Sequence, residues 1–213
     1  MENIVDKALE YVKKFFENDF SGHDFYHTLR VYNLAKYITN FEKCDSEIVY
    51  LAALLHDVDD YKLVGKGKEP FSNAKKILKS LEVSDTKIDQ ICHVISQVSF
   101  KGKDTVTPDT IEGKIVQDAD RLDALGAIGI ARTFAFGGSN KRAIHIPKEK
   151  YRENMSAEEF YENRSTSINH FYEKLLRLKD LMNTETAKKI AKHRHKYLED
   201  YLKEFLDEWE GKI

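Results

Sequence analysis

The segment "EIVYLAALLHD", Glu47 to Asp57, limits the fold more than any other stretch of the chain: it is apolar on nearly every side and ends in a histidine and an aspartate. A helix that is apolar all round has to be covered all round. It therefore belongs at the centre of the fold, and the polar residues at its end emerge in the middle of the molecule. The rest of the chain supplies covering helices. Ile4, Val5, Ala8, Leu9, Val12, Phe15 and Phe16 recur at helical spacing and predict an amphipathic helix ending near Asn18. A second is expected from Asp24, an N-cap residue, carrying Leu34, Ala35 and Ile38 into the core. "FSNAKKILKSL" and "SDTKIDQICHVISQVSF" repeat the pattern, each preceded or opened by a Ser or Asp able to cap it.

Further along, Ala119, Ala124, Gly126, Ala127 and Gly129 permit close helix packing and mark another central element. After Phe136 the chain reads as an irregular loop punctuated by Gly137, Gly138 and Pro147, in which Arg142 and His145 are candidates for a lid. Two long helices, about 156–182 and 184–209, are expected to close the chain. No period-two strand, Gly-rich phosphate loop or internal repeat stands out. The expected fold is all-α, a single domain over 1–213.

Composition narrows the function classes. With 34 basic and 36 acidic residues the net charge is −2, so nothing global favours nucleic acid or a membrane surface, although a local basic pocket is compatible with it. Cys44 and Cys92 lack metal-type spacing and sit in apolar contexts, which predicts reduced thiols. The N-terminus has charges throughout, and no apolar run approaches the ~20 residues that span a bilayer. These features lead us to expect a soluble, cytoplasmic protein.

Two segments carry residues suited to metal chemistry. His23 and His27, four apart, can share a helical face; His56 and Asp57 diverge by about 100° but, at a helix end, can both reach one ion. Imidazole plus carboxylate suits a divalent transition metal, and a catalytic ion needs protein ligands on one side with positions left open.

The order H…HD…D, with "GHDFYHTLRV", "ALLHDVDD" and "QDADRLDALGAIGIAR", resembles the HD-domain metal-dependent phosphohydrolase superfamily, in particular a bacterial branch that includes nucleotide pyrophosphohydrolases. "NHFYEKLLRLKDLMNTETAKKIAKHRH" resembles the C-terminal helices of that branch, so the likeness covers nearly the whole chain. The resemblance implies a helical bundle in which His27, His56, Asp57 and an aspartate of "QDADRLD" hold the ion. Asp118 and Asp120 point about 200° apart on a helix and cannot both reach it. Asp120 matches the family's final aspartate, and Asp118 is the reserve. Asp60, three residues after Asp57 and four after His56, lies on their side if the helix continues, where its carboxylate can orient or deprotonate a water. Asp59 points elsewhere and is expected to be solvated. His23 is a candidate hydrogen-bond partner behind the ligands, or a helix cap.

Phosphates require positive partners. His170 and Lys174, four apart on one expected helical face, are the main candidates. The resemblance adds His93, since relatives carry a histidine on that helix, and Lys101 with Lys103 beside Gly102 reads as a mobile basic loop. The expected activity is hydrolysis of a phosphoanhydride bond of a (deoxy)nucleoside triphosphate by a water activated on Mn²⁺, Fe²⁺, Ni²⁺ or Co²⁺. A 5′-nucleotidase or phosphodiesterase using the same ion, and a non-catalytic nucleotide sensor, are the alternatives.

Overall fold

A computed structural model describes residues 3–17, 24–59 and 69–213. Among these residues the regular structure is entirely helical, as expected: α1 (Ile4–Phe15), α2 (Phe25–Thr39), α3 (Ser46–Leu55), α4 (Ser72–Ser80), α5 (Asp85–Ser96), α6 (Ile111–Asp123), α7 (Gly126–Ser139), α8 (Ala157–Glu162), α9 (Ser167–Glu173) and α10 (Glu185–Trp209), with 3₁₀ turns at Gly102–Asp104 and Leu175–Leu181. The described residues fall into two compact units. The first comprises Met1–Ser99 and Val106–Asp120, the second Phe100–Thr105 and Arg121–Ile213.

In the first unit α3 is central, packed by α1, α2 and α5. Val49, Leu51, Ala52, Ala53, Leu54 and Leu55 are fully buried, as an all-round apolar helix requires. Asp45 starts it by accepting the backbone N–H groups of Glu47 and Ile48. Asp24 caps α2 in the same way, accepting from His27 N at 2.8 Å. On α2, Val31, Ala35 and Ile38 are buried and Leu34 is half-buried.

Two helix starts differ from expectation, Ser84 standing at the N-cap position of α5 without a side-chain cap hydrogen bond. Ser72 does not cap α4, whose N-cap position is Phe71 in a left-handed conformation (φ 60°) with no side-chain cap. Asp59 does the capping from a distance: its carboxylate accepts from Asn73 N at 2.9 Å, Ala74 N at 2.8 Å and Ser72 Oγ at 3.4 Å. Asp59 is therefore not a solvated surface carboxylate. It neutralises the exposed N–H groups at the positive end of a helix.

In the second unit α10 packs on α7 and on the Leu175–Leu181 turn, and α9 packs on both of those elements. Phe134, Phe171, Tyr201 and Phe205 form a continuous aromatic stack between α7, α9 and α10. The helix expected over about 184–209 is α10. That expected over about 156–182 is instead three pieces, α8, α9 and the 3₁₀ turn. The cause is side-chain competition for the backbone around Asn163: Asn163 leaves the helical conformation (ψ 123°), and Thr166 caps α9 by accepting from Asn169 N. Buried Glu173 holds the break together, accepting from Asn163 Nδ2 at 2.8 Å, Ser165 Oγ at 2.7 Å and Arg152 N at 3.2 Å.

Two loops are also more fixed than their composition suggests. Beside Lys101 and Lys103, Gly102 adopts φ +60°, and a Cβ there would meet Met155 O at 2.2 Å. Lys103 N donates to that same carbonyl at 2.8 Å, so the basic segment is pinned, not mobile. The loop expected after Phe136 starts only at Asn140, because α7 continues through Gly137 and Gly138 to Ser139; the 140–150 segment is tied to the start of α9 by Ser167 N to Ala143 O and Ile168 N to Ile144 O, both 3.0 Å, and Arg142 donates to Asn163 O at 2.9 Å. Arg142 and His145 are thus structural here, His145 lying edge-on to Phe205 and Trp209. Both cysteines are free, and burial raises the thiol pKa of each.

Candidate metal centre

The chain brings His27, His56 and Asp57 together at the end of α3. One ligand atom from each lies within 4.8 Å of the other two, and all three side chains are buried. His27 comes from the first turn of α2, whose N-terminus Asp24 fixes, and it is 1% exposed. His56 is the C-cap of α3, and Asp57 follows in the turn. The apolar helix thus delivers His56 and Asp57 into the interior, at the negative end of its dipole, where a cation is favoured.

Individual distances show how the groups face one another. His27 Nε2 lies 3.3 Å from Asp57 Oδ2 and 3.5 Å from Asp120 Oδ1. His56 Nε2 lies 3.5 Å from Asp57 Oδ1 and 3.9 Å from Asp120 Oδ1. Asp120 therefore joins the cluster through the two histidines. Asp118 on the same helix is fully buried, while the Asp120 side chain is 23% exposed. On α6 the Asp120 carboxylate thus stands 3.5 Å and 3.9 Å from the two histidine Nε2 atoms.

These groups fit a divalent ion. His56 Nδ1 is 2.8 Å from Ala53 O, so that nitrogen carries the proton and Nε2 presents its lone pair to the cluster. Nε2 is buried and has no hydrogen-bond partner among the described residues. Ligand atoms about 2.1 Å from a common ion stand roughly 3–3.5 Å from each other, close to the separations found here. Two carboxylates beside two imidazoles in a buried setting are costly without a compensating cation.

The other expected site residues are placed as follows. His23 and Asp60 lie outside the described residues. His93 is exposed, and its Nε2 is taken up by Asp109 at 2.9 and 3.0 Å; that interaction holds the Asp109 carboxyl below its usual pKa. His170, Lys174 and Lys101 belong to the second unit. There the His170 ring lies 6.2 Å from Phe160, Phe160 packs edge-on to Phe100 at 5.1 Å, and Lys174 Nζ sits 5.5 Å above the Phe100 ring. Lys174 is no longer helical (φ −135°, ψ −62°), although its N–H still reaches His170 O at 3.0 Å. The two residues thus share one aromatic platform, which the expected continuous helix did not include. Sequence reasoning also missed Glu173, whose position in an apparently amphipathic helix gives no sign that it is buried.

Comparison with known proteins identifies the family. The HD domain family model matches residues 24–125. The Bacillus subtilis protein YpgQ is 39% identical over 202 residues, covering 94% of this chain and 91% of YpgQ. Among solved structures, a Lactobacillus plantarum protein covers 99% of both chains with a TM-score of 0.87 at 34% identity. An HD-superfamily hydrolase from Bacillus thuringiensis covers 97% of this chain and 96% of its own, with a TM-score of 0.73 at 42% identity. YpgQ in complex with ADP covers 96% of both chains, with a TM-score of 0.72 at 37% identity. The fold and the buried histidine–aspartate cluster define a hydrolase of the metal-binding all-α class. The chain belongs to the HD-domain phosphohydrolase superfamily.

Proposed function

We propose that this protein is a divalent-metal-dependent phosphohydrolase acting on nucleotides, and that it cleaves a phosphoanhydride bond of a nucleoside or deoxynucleoside triphosphate. The observation that carries the reading is the grouping of His27, His56 and Asp57 within 4.8 Å of one another, with Asp120 Oδ1 3.5 Å and 3.9 Å from the two histidine Nε2 atoms. The ADP held by YpgQ supports the nucleotide class.

In this reading His27, His56, Asp57 and Asp120 hold the ion, and their imidazole and carboxylate donors suit Mn²⁺, Fe²⁺, Ni²⁺ or Co²⁺. Such an ion supplies a coordinated water with pKa near 7 and a positive charge that polarises the phosphoryl oxygen. The protein's part is positional. Ala53 O fixes the His56 tautomer, and Asp57 and Asp120 bring two negative charges that balance a dication. As the exposed member of the set, Asp120 marks the side from which water and substrate enter. Asp60, outside the described residues, is assigned the role of orienting or deprotonating the attacking water from the family resemblance alone, since α3 ends at Leu55 and helical spacing does not carry it. His170 and Lys174 are assigned to the substrate's phosphates, as cations that offset charge developing on the bridging oxygen. No step requires a protein nucleophile, and the raised thiol pKa values disfavour cysteine chemistry.

The test is metal analysis of the purified protein, followed by product analysis across nucleoside tri-, di- and monophosphates before and after chelation. The expected result is a stoichiometric transition metal and metal-dependent release of phosphate or pyrophosphate from triphosphates. Release only from monophosphates would replace the reading with a 5′-nucleotidase. Nucleotide binding without turnover in the metal-loaded protein would replace it with a sensor.

A further inference from the structure

We infer that the second unit carries a separate binding site for a small oligophosphate anion, built from α10 and the Leu175–Leu181 turn, and this inference does not depend on the hydrolase reading. The observation is a concavity of about 530 Å³ whose wall is basic in a chain of net charge −2. Lys192, His193 and Lys196 follow Lys189 by three, four and seven residues along α10 and so share its face. Lys179 supplies the facing wall from the 3₁₀ turn, which packs against α10.

The carboxylates nearby offset this charge only in part. Glu199, the acidic member of the lining, is turned to His195 Nε2 at 3.3 Å. Asp200 pairs with Lys196, and Asp180 stands 3.8 Å from Lys179 Nζ. Among the described residues neither Lys189 nor Lys192 has a carboxylate at salt-bridge distance. His195 lines the concavity at 8% exposure and turns its Nε2 toward Glu199.

Size and chemistry select the ligand. The volume falls in the range of small-molecule pockets. The lining has no Tyr, Phe or Trp on which a base could stack, which disfavours a nucleobase or a single-stranded nucleic acid. Several point-charge ammonium groups around a compact hollow match an anion of three or more charges, such as pyrophosphate or tripolyphosphate. The same phosphates borne by a nucleotide would be read through their charge alone.

The experiment titrates the full-length protein with tripolyphosphate, pyrophosphate and ATP by calorimetry, alongside Lys189→Ala/Lys192→Ala and His56→Ala. Both lysines are exposed and outside the metal cluster, so the double variant should fold and keep its basal activity. The expected result is a tripolyphosphate site that persists in His56→Ala and weakens at least about tenfold in the double variant. ATP binding there no tighter than tripolyphosphate would identify the phosphates as the recognised part. Three results would overturn the inference: equal affinity in wild type and double variant, loss of the site in His56→Ala alone, or tight binding of an oligonucleotide or anionic vesicle at these lysines with none of tripolyphosphate.

Discussion

His27 Nε2 and Asp57 Oδ2 stand 3.3 Å apart although they come from different helices, one at the start of α2 and the other just past the end of α3. Two buried groups with lone pairs to offer do not approach so closely without a proton or a metal between them. Removing a ligand should therefore remove the ion, not merely tune it. His56→Ala and Asp57→Ala are each expected to lose bound metal and turnover while far-ultraviolet circular dichroism stays close to wild type. A His56→Ala protein with a full metal complement would transfer the centre elsewhere.

The same geometry predicts that the ion stabilises the fold, because ligands on α2, α3 and α6 are not joined in the unfolded chain. At a metal concentration about a hundredfold above its Kd, the gain is about 2.7 kcal/mol. A rise in melting temperature on adding Mn²⁺ to chelated wild type, absent in His56→Ala, is the expected observation. Identical shifts in both proteins would show that the metal acts somewhere other than this cluster.

Asp118 and Asp120 should fail in different ways. Asp120 faces the histidines and is partly exposed, so Asp120→Asn should cost metal and activity with little change in stability. Asp118 is fully buried, so Asp118→Asn should lower the denaturation midpoint while the remaining folded protein keeps its ion. Metal content measured on both variants decides the assignment, and the reverse ranking would make Asp118 the ligand.

Asp59 offers a prediction that concerns folding alone. Because its carboxylate caps α4 through two backbone N–H groups and one hydroxyl, Asp59→Ala should cost about 1–2 kcal/mol, in the range of a lost helix cap. Urea denaturation measures this directly. A variant as stable as wild type would show that Ser72 or water takes over the cap.

How much of this was legible beforehand follows from the range of the interactions. Helical periodicity and local caps such as Asp24 act over a few residues, so the apolar helix Ser46–Leu55 and the start of α2 could be read directly. The grouping of His27, His56, Asp57 and Asp120 was legible because the motif fixes residue types at the ends of predictable helices. Asp59 was misread because its partners lie fourteen and fifteen residues away, beyond any local rule. The break at Asn163 was misread for a similar reason. Its side chain and that of Ser165 are held by Glu173, and hydrophobic spacing does not report which glutamate is buried.

Lys174 provides the remaining test of substrate class. Its ammonium lies over the Phe100 ring and its backbone closes α9, so the side chain is held in place instead of sweeping through solvent. A charge-assisted contact to a phosphate is worth about 1.5–3 kcal/mol, so Lys174→Ala should lower kcat/KM for a triphosphate by roughly ten- to a hundredfold. The cation–π contact itself is worth only about 0.5–1 kcal/mol at such a site, so the melting temperature should move little. Metal content should be unchanged, since Lys174 is not among the proposed ligands. Lys174→Met, which keeps an apolar side chain over Phe100 but not the charge, should behave like the alanine variant if charge is what matters. The loss should also be larger for a triphosphate than for a monophosphate, because the former presents more charge to a cation. Equal efficiency of Lys174→Met and wild type on every nucleotide would leave Lys174 a packing residue on its aromatic platform and remove it from the substrate site.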